Sequence, residues 1–362
     1  MRILILSNSD SGLYQFRKEL IRDLSASHTV ICSVPNADGF LGKLEELGCT
    51  CVETDFNRRG TNPVSELKLF ALYKKLIHKH KPDIVFTYTI KPNVYGGMAC
   101  ASLGVPYVAN ITGLGTAVEN GGMMQIITLA LYRLGLRKAQ KVFFQNTSNR
   151  DFMLRHHVIR GQYDLLPGSG VNLEGFPVLP FPAGETVDFV FIARIRKEKG
   201  IDQYLEAAEA IRARYPQTRF HICGGCEEDY RNRLEDLQEK GVICYHGEVD
   251  NIRQIHAISQ CTVHPTYYPE GMSNVLLESC ACGRPIITTD RPGCREIVED
   301  GINGFVVRQK DSADLIAKIE RFLALEPERR RQMGLAGRAK VEREFDRKIV
   351  IEKYMGELPH GL

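Results

Sequence analysis

The feature that most constrains this chain is a strand-and-helix pattern written twice. A short, mostly apolar run, Arg2–Asn8 (RILILSN), ends in small polar residues, and Phe189–Ala193 starts the same pattern again. A run that is apolar at successive positions suits a parallel strand covered on both faces. After the first run, Ser9-Asp10-Ser11-Gly12 turns into a helical stretch reaching about Ala26, with Leu13, Phe16, Leu20, Ile21 and Leu24 at helical spacing. Further strands are expected at Val30–Val34, Cys49–Thr54, Asp83–Tyr88, Val105–Asn110 and Val142–Gln145, with an amphipathic helix over Glu66–Lys81. In the second series, helices at Ile201–Tyr215, Tyr230–Glu239 and Ile252–Ser259 separate strands at Phe220–Cys223, Val242–Tyr245, Thr262–His264 and Pro285–Thr289. Strands that alternate with helices in this way build doubly wound α/β sheets.

Between the two series lies Leu166–Val187, with four prolines and four glycines, which reads as an interdomain linker. The expected organisation is a Rossmann-like parallel-sheet domain over residues 1–165 and a linker over 166–187. A second Rossmann-like domain is expected over 188–344, with the end of the chain, about 345–362, crossing back to the first. The length of 362 residues accommodates two such domains. Ligands of open α/β sheets bind beyond the carboxyl ends of the strands, so the two domains are expected to face a central cleft. Neither half carries G-x-G-x-x-G or a P-loop lysine motif, which argues against a dinucleotide oxidoreductase and an NTPase.

Composition narrows the setting. The longest mostly apolar stretch, Met123–Leu136, is interrupted by Arg133 and falls short of the ~20 residues of a membrane span. The first residues turn polar too soon for a secretory signal, so a cytoplasmic location is expected. Eleven cysteines, an odd number with no export signal, read as reduced thiols. Cys223-Gly-Gly-Cys226 has no second pair at zinc-site distance, and no metal is expected. The net charge of +3 is uneven: the first 164 residues are basic and the remainder acidic. A basic half suits an anionic partner. The chain has no tryptophan and no interleaving of aromatic and basic residues on a strand, so nucleic acid is not the expected one.

Two pairs of residues carry the chemistry. In Tyr267–Gly283 (YYPEGMSNVLLESCACG), Pro269-Glu270-Gly271 reads as a loop at a strand end, Ser273 as the N-cap and Asn274–Cys282 as a helix. Backbone N–H groups at that helix start suit a phosphate. Glu270 and Glu278 stand eight residues apart, one before the helix and one in its second turn, where sugar hydroxyls are natural hydrogen-bond donors to them. Arg194 and Lys199, in ARIRKEKG, follow the first strand of the second series. Two cations five residues apart suit a diphosphate, and neutralising a phosphate leaving group is the electrostatic task of glycosyl transfer.

This combination resembles the retaining, nucleotide-sugar-dependent glycosyltransferases of family 4, which have the two-domain GT-B fold. E-x7-E matches as Glu270 to Glu278, and R-x4-K as Arg194 to Lys199. Leu166–Val171 (LPGSGV), Thr89–Gly96 (TIKPNVYG) and Asn110–Thr116 (NITGLGT) look like a bacterial subgroup that extends lipid-linked glycans, capsule or O-antigen units. The resemblance implies that Glu278 holds the donor ribose and Glu270 the transferred hexose. It implies that the amides of Asn274 and Val275, with Ser273 and Gly271 beside them, meet the phosphates together with Arg194 and Lys199. Gly12 would admit the diphosphate to the first domain's backbone, and Gly224 and Gly225 would pass under the base. Many relatives carry a histidine after the strand matching Val105–Asn110; here Thr112 occupies that place, and Asn110 or Thr112 is left to substitute for it. By the same resemblance the donor is a UDP-sugar, no cofactor or metal is required, and the acceptor is a polyprenyl-diphosphate glycan.

The acceptor side is read in the basic half. Arg58 and Arg59 suit an acceptor pyrophosphate, and Lys91 at the end of the Asp83–Tyr88 strand suits acceptor or donor. Met123–Lys141 reads either as an interfacial helix on an anionic membrane surface or as a core helix with a charged end. The first places the protein peripherally on the inner face of the cell membrane. Two further readings stay open at this level: a nucleotide-sugar 2-epimerase of the same fold, and a non-catalytic sugar-nucleotide-binding protein.

Overall fold

A computed structural model describes residues 1–56, 62–119 and 121–359. The chain forms two compact units, one of Met1–Ser169 with Lys348–Leu362 and the other of Gly170–Arg347.

The first unit is built on a seven-stranded sheet of β1 (Arg2–Leu6), β2 (Thr29–Val34), β3 (Thr50–Glu53), β4 (Ile84–Tyr88), β5 (Tyr107–Ile111), β6 (Lys141–Phe144) and β7 (Tyr163–Leu165). Their order is β3-β2-β1-β4-β5-β6-β7, and every pair is parallel. The apolar run of β1 serves both faces: Ile3 and Ile5 join one core cluster, Leu4 and Leu6 another. That double burial is why the strand lacks polar alternation.

The second unit repeats the plan with β8 (Val187–Ile192), β9 (Thr218–Cys223), β10 (Cys244–Tyr245), β11 (Cys261–His264), β12 (Ile286–Thr289) and β13 (Gly304–Val307). The order is β10-β9-β8-β11-β12-β13, again all parallel. Phe189 and Phe191 face one cluster, Val190 and Ile192 the other. In each sheet the winding reverses beside the first strand of the series, between β1 and β4 and between β8 and β11. Ligands of open α/β sheets bind outside the carboxyl ends of the strands at such a switch point.

Two strands were not anticipated, β7 and β13, both short and at sheet edges. The segment read as a linker divides at Ser169, and Val171, Leu173 and Phe176 pack into a core cluster of the second unit. At the other crossing, the helix Arg347–Met355 returns to the first unit. Its anchor is Tyr354, fully buried, with ring centroids of Phe86 and Phe143 each 5.1 Å away and that of Tyr88 at 6.0 Å. The Tyr354 hydroxyl accepts a 2.8 Å hydrogen bond from the Asn110 side-chain amide, and Lys353 pairs with Asp164 at 2.7 Å.

Tyr354→Ala is expected to destabilise the first unit by about 3–5 kcal/mol, the usual cost of deleting a buried aromatic side chain. Tyr354→Phe keeps the ring but leaves the Asn110 amide without its acceptor, at about 1–3 kcal/mol. Urea unfolding followed by circular dichroism checks both: the midpoint falls in each variant, and further in the alanine one.

Candidate functional site

The residues singled out in the second half gather at the carboxyl edge of the second sheet. β8 leads into Ala193–Lys199, closed by a 3-10 turn at Lys197–Lys199, and the neighbouring β11 leads into Pro265–Ser273. The two loops meet at Gly200: its φ is +82°, and a Cβ there would stand 2.2 Å from the Pro265 carbonyl oxygen. Only glycine permits that approach. It brings Lys199 onto Glu270, and the two form an ion pair with side chains only 12% and 16% exposed. The Lys199 ammonium also lies 4.7 Å from the centre of the Tyr268 ring.

Beside this pair, at the end of β11, His264 is fully buried and neither ring nitrogen has a hydrogen-bond partner. Burial, together with the Lys199 charge, pushes its pKa down to about 3, so the imidazole is neutral. His256 is held in the same way, by burial and then Arg284, also at about 3.

Arg194 does not share the Lys199 position. Its guanidinium binds Glu227, Nη1 to Oε1 at 2.9 Å, with side chains 48% and 37% exposed. Glu227 lies in the loop after β9, and that loop grips the one after β8 at further points. Arg196 stands 3.7, 3.6 and 3.5 Å from Glu198, Glu227 and Glu228, and the Lys197 amide donates to Glu228 at 2.8 Å. Gly224, at φ +141°, lets the loops close: a Cβ would stand 1.9 Å from the Ala193 carbonyl oxygen. A Cβ on Gly225 would meet the Glu248 carboxylate at 2.3 Å. Ile195 N–H donates to the Gly225 carbonyl at 2.8 Å.

The helix Asn274–Ala281 starts where the sequence places it. Ser273 has the N-cap backbone conformation but its hydroxyl makes no capping bond; its N–H donates to the Gly293 carbonyl at 2.8 Å. Asn274, Val275 and Glu278 are half-buried, and Gly271 is buried in the preceding loop. Cys223 is a buried thiol and Cys226 bonds the Glu228 carbonyl. Among the described residues, no group of three or more His, Cys, Asp or Glu is arranged to hold a metal ion.

In the first unit the picture differs from expectation. The loop after β1 is shorter than read, because the helix Asp10–Ser25 begins at once. Gly12 therefore sits in its first turn, not in a loop, and its N–H is taken by the capping Ser9 hydroxyl at 3.0 Å. Asp10 is fully buried; burial alone would raise its pKa, but bonds from the Phe40 and Asp38 amides bring it below the usual carboxylate value. Lys91 follows β4 and is held by Glu66 at 2.5 Å, with side chains 13% and 12% exposed. Asn110 is fully buried, its amide on Tyr354 and its carbonyl accepting the Asn93 amide at 2.8 Å. Thr112 is half-buried in the loop after β5. Arg58 and Arg59 lie outside the described residues.

The helix read as interfacial runs Gly122–Gly135, and Lys141 belongs to β6. It has a buried side and an exposed apolar side. Leu129 and Tyr132 are buried, while Met123 (72%), Ile126 (63%) and Leu134 (51%) are exposed. Val64 and Leu67, at the start of the helix Pro63–His80, are exposed too, and both helices pack on the segment Pro92–Leu103. No helix among the described residues is long and apolar enough to cross a membrane.

Glu227, Glu228, Arg196 and Glu66 were missed. The acidic run Glu227-Glu228-Asp229 was the available signal, since β8 and β9 are neighbours and their loops must meet.

Residues 180–340 match the glycosyl transferases group 1 family, and residues 2–146 match the glycosyl transferase 4-like family. The chain belongs to these glycosyltransferases. It is 26% identical, over 98% of its length and 97% of the relative's, to the N,N'-diacetylbacillosaminyl-diphospho-undecaprenol alpha-1,3-N-acetylgalactosaminyltransferase of Campylobacter jejuni. It is 25% identical, over 80% of each chain, to the capsular polysaccharide biosynthesis glycosyltransferase CapM of Staphylococcus aureus. Among solved structures it is similar to Anabaena HepE in complex with UDP and glucose, with a TM-score of 0.79 at 17% identity over 99% of this chain and 98% of the other. Sucrose-phosphate synthase of Thermosynechococcus elongatus gives the same score at 21% identity, over the same shares. The fold is GT-B, and each unit matches one of the two glycosyltransferase families.

The two neutral histidines make the second unit sensitive to acid. Each has a folded pKa depressed from about 6.5, so the stability it contributes is complete above that value and is lost as pH falls toward 3, by about 1.4 kcal/mol per pH unit. Urea midpoints measured between pH 6.5 and 4 are expected to fall less steeply in His264→Phe and His256→Leu than in the wild type.

Proposed function

We propose that this glycosyltransferase is a retaining enzyme that moves a hexose or N-acetylhexosamine from a UDP-sugar to a saccharide carried on polyprenyl diphosphate, in the synthesis of a bacterial surface glycan. The observation that carries the reading is the Lys199–Glu270 pair at the switch point of the second sheet, with Glu278 in the helix that follows. The Campylobacter relative, named for an undecaprenol-diphosphate acceptor, supports the lipid-linked substrate, and the UDP in the Anabaena structure supports the nucleotide.

The second unit binds the donor. Glu278 accepts from the ribose hydroxyls, the amides of Asn274 and Val275 receive the phosphates, and the backbone at Gly224 and Gly225 passes under the base. Glu270, held in place by Lys199, accepts from the hexose hydroxyls and orients the ring. Arg194 and Lys199 take the charge that grows on the leaving phosphate, in place of a resident metal. The anomeric carbon–oxygen bond to the diphosphate breaks as the acceptor oxygen bonds to the same face of that carbon. The acceptor's proton passes to a departing phosphate oxygen, and UDP leaves. Glu270 is an orienting group in this scheme, not a nucleophile.

The first unit, with Arg58, Arg59, Lys91 and Thr112, takes the acceptor. The outward face of the Gly122–Gly135 helix, with Arg137 and Lys138 after it, rests on anionic lipid at the cytoplasmic side of the membrane.

The test is a panel of nucleotide sugars offered with a polyprenyl-diphosphate saccharide, the product's anomeric configuration being read by NMR. A UDP-sugar should be consumed with its configuration kept, and Glu278→Ala or Lys199→Ala should lower kcat/KM about a hundredfold to a thousandfold. Inversion overturns the mechanism; an isomerised donor without acceptor overturns the transferase reading. Separately, Met123→Glu with Ile126→Glu is expected to weaken sedimentation with anionic vesicles while leaving the thermal midpoint unchanged.

A further inference from the structure

Three cations assigned to substrate each already hold a carboxylate of their own chain: Lys91 on Glu66, Lys199 on Glu270 and Arg194 on Glu227. The three pairs are not equivalent. In the two lysine pairs every side chain is at most 16% exposed, so separating them would strand a charge away from water, which is costly. The Arg194–Glu227 pair stands in solvent, 48% and 37% exposed, where an ion pair gains little and is easily exchanged. Arg194 is also the one of the three with a guanidinium fork that fits a phosphate in two-point contact. Glu227 reaches Arg196 as well, at 3.6 Å, so a single carboxylate spans both arginines of the loop after β8.

We propose that Glu227 is the exchangeable counter-ion of the nucleotide diphosphate. Arg194 rests on Glu227 while the site is empty, moves to the diphosphate when the nucleotide binds, and returns to Glu227 as the nucleoside diphosphate departs. Lys199 stays on Glu270 throughout. Glu227 thus weakens the hold on donor and product alike, and it speeds release of a doubly phosphorylated product that the cations would otherwise retain. It is a positioning residue that acts through Arg194, and the assignment rests on the donor reading given above.

The experiment is calorimetric titration of the full chain with UDP, with inorganic pyrophosphate and with uridine. Glu227→Gln should bind UDP and pyrophosphate about two- to fivefold more tightly, the range of an exposed ion pair, and uridine no differently. The gain should shrink as salt is raised and vanish in an Arg194→Gln background. Because the expected change is tighter binding, a damaged fold cannot imitate it. Unchanged or weaker UDP binding by Glu227→Gln, with the wild type binding normally, overturns the proposal and leaves the donor reading standing. An equal gain from Glu228→Gln, whose carboxylate touches Arg196 and the Lys197 amide, also overturns it, since the effect would then be the field of any nearby carboxylate. A wild type that binds neither UDP nor pyrophosphate overturns the donor reading, and this proposal with it.

Discussion

An ammonium and a carboxylate meet where the winding of the second sheet reverses, and much of the site follows from that contact. Lys199 reaches Glu270 only because Gly200 lets the loop after β8 lie against Pro265. The pair fixes the Glu270 loop ahead of the Asn274–Ala281 helix, so Glu278 projects from a start that is itself fixed. His264 beneath it has to stay neutral, since a second buried cation beside Lys199 would be unfavourable. Arg194, on the same loop, stays in solvent where the lysine is buried.

The fold was open to reading because its strands are buried on both faces. Runs such as RILIL and VDFVFI admit no half-exposed strand, and the helical spacing between them fixes alternation. What escaped reading was short or local. β7 has three residues, too few to show a pattern. Ser9-Asp10-Ser11-Gly12 reads equally as a turn or as a helix start, and the Ser9 cap decides for the helix.

At the site, sequence spacing marked candidate residues but not their partners. The R-x4-K spacing suggested that Arg194 and Lys199 act as a matched clamp; in the fold one faces Glu227 and the other Glu270. Lys91 was legible as a cation at a strand end, but the carboxylate that covers it lies on another element, in the first turn of the Pro63–His80 helix. Asn110 reads as available at the end of its strand, yet its amide is spent on Tyr354, 244 positions along the chain. Contacts at that distance leave no trace in local composition.

The return of Tyr354 to Phe86, Tyr88 and Phe143 has a consequence during synthesis. Domains ordinarily fold in the order in which they leave the ribosome. Here the aromatic cage of the first unit stays open until the whole of Gly170–Arg347 has been made, because its last ring arrives after that unit. The second unit, contiguous in the chain, has everything it needs earlier. A nascent chain that stops short of the return helix therefore carries a second unit complete in sequence and a first unit with an exposed aromatic gap, a mark by which an unfinished copy differs from a finished one.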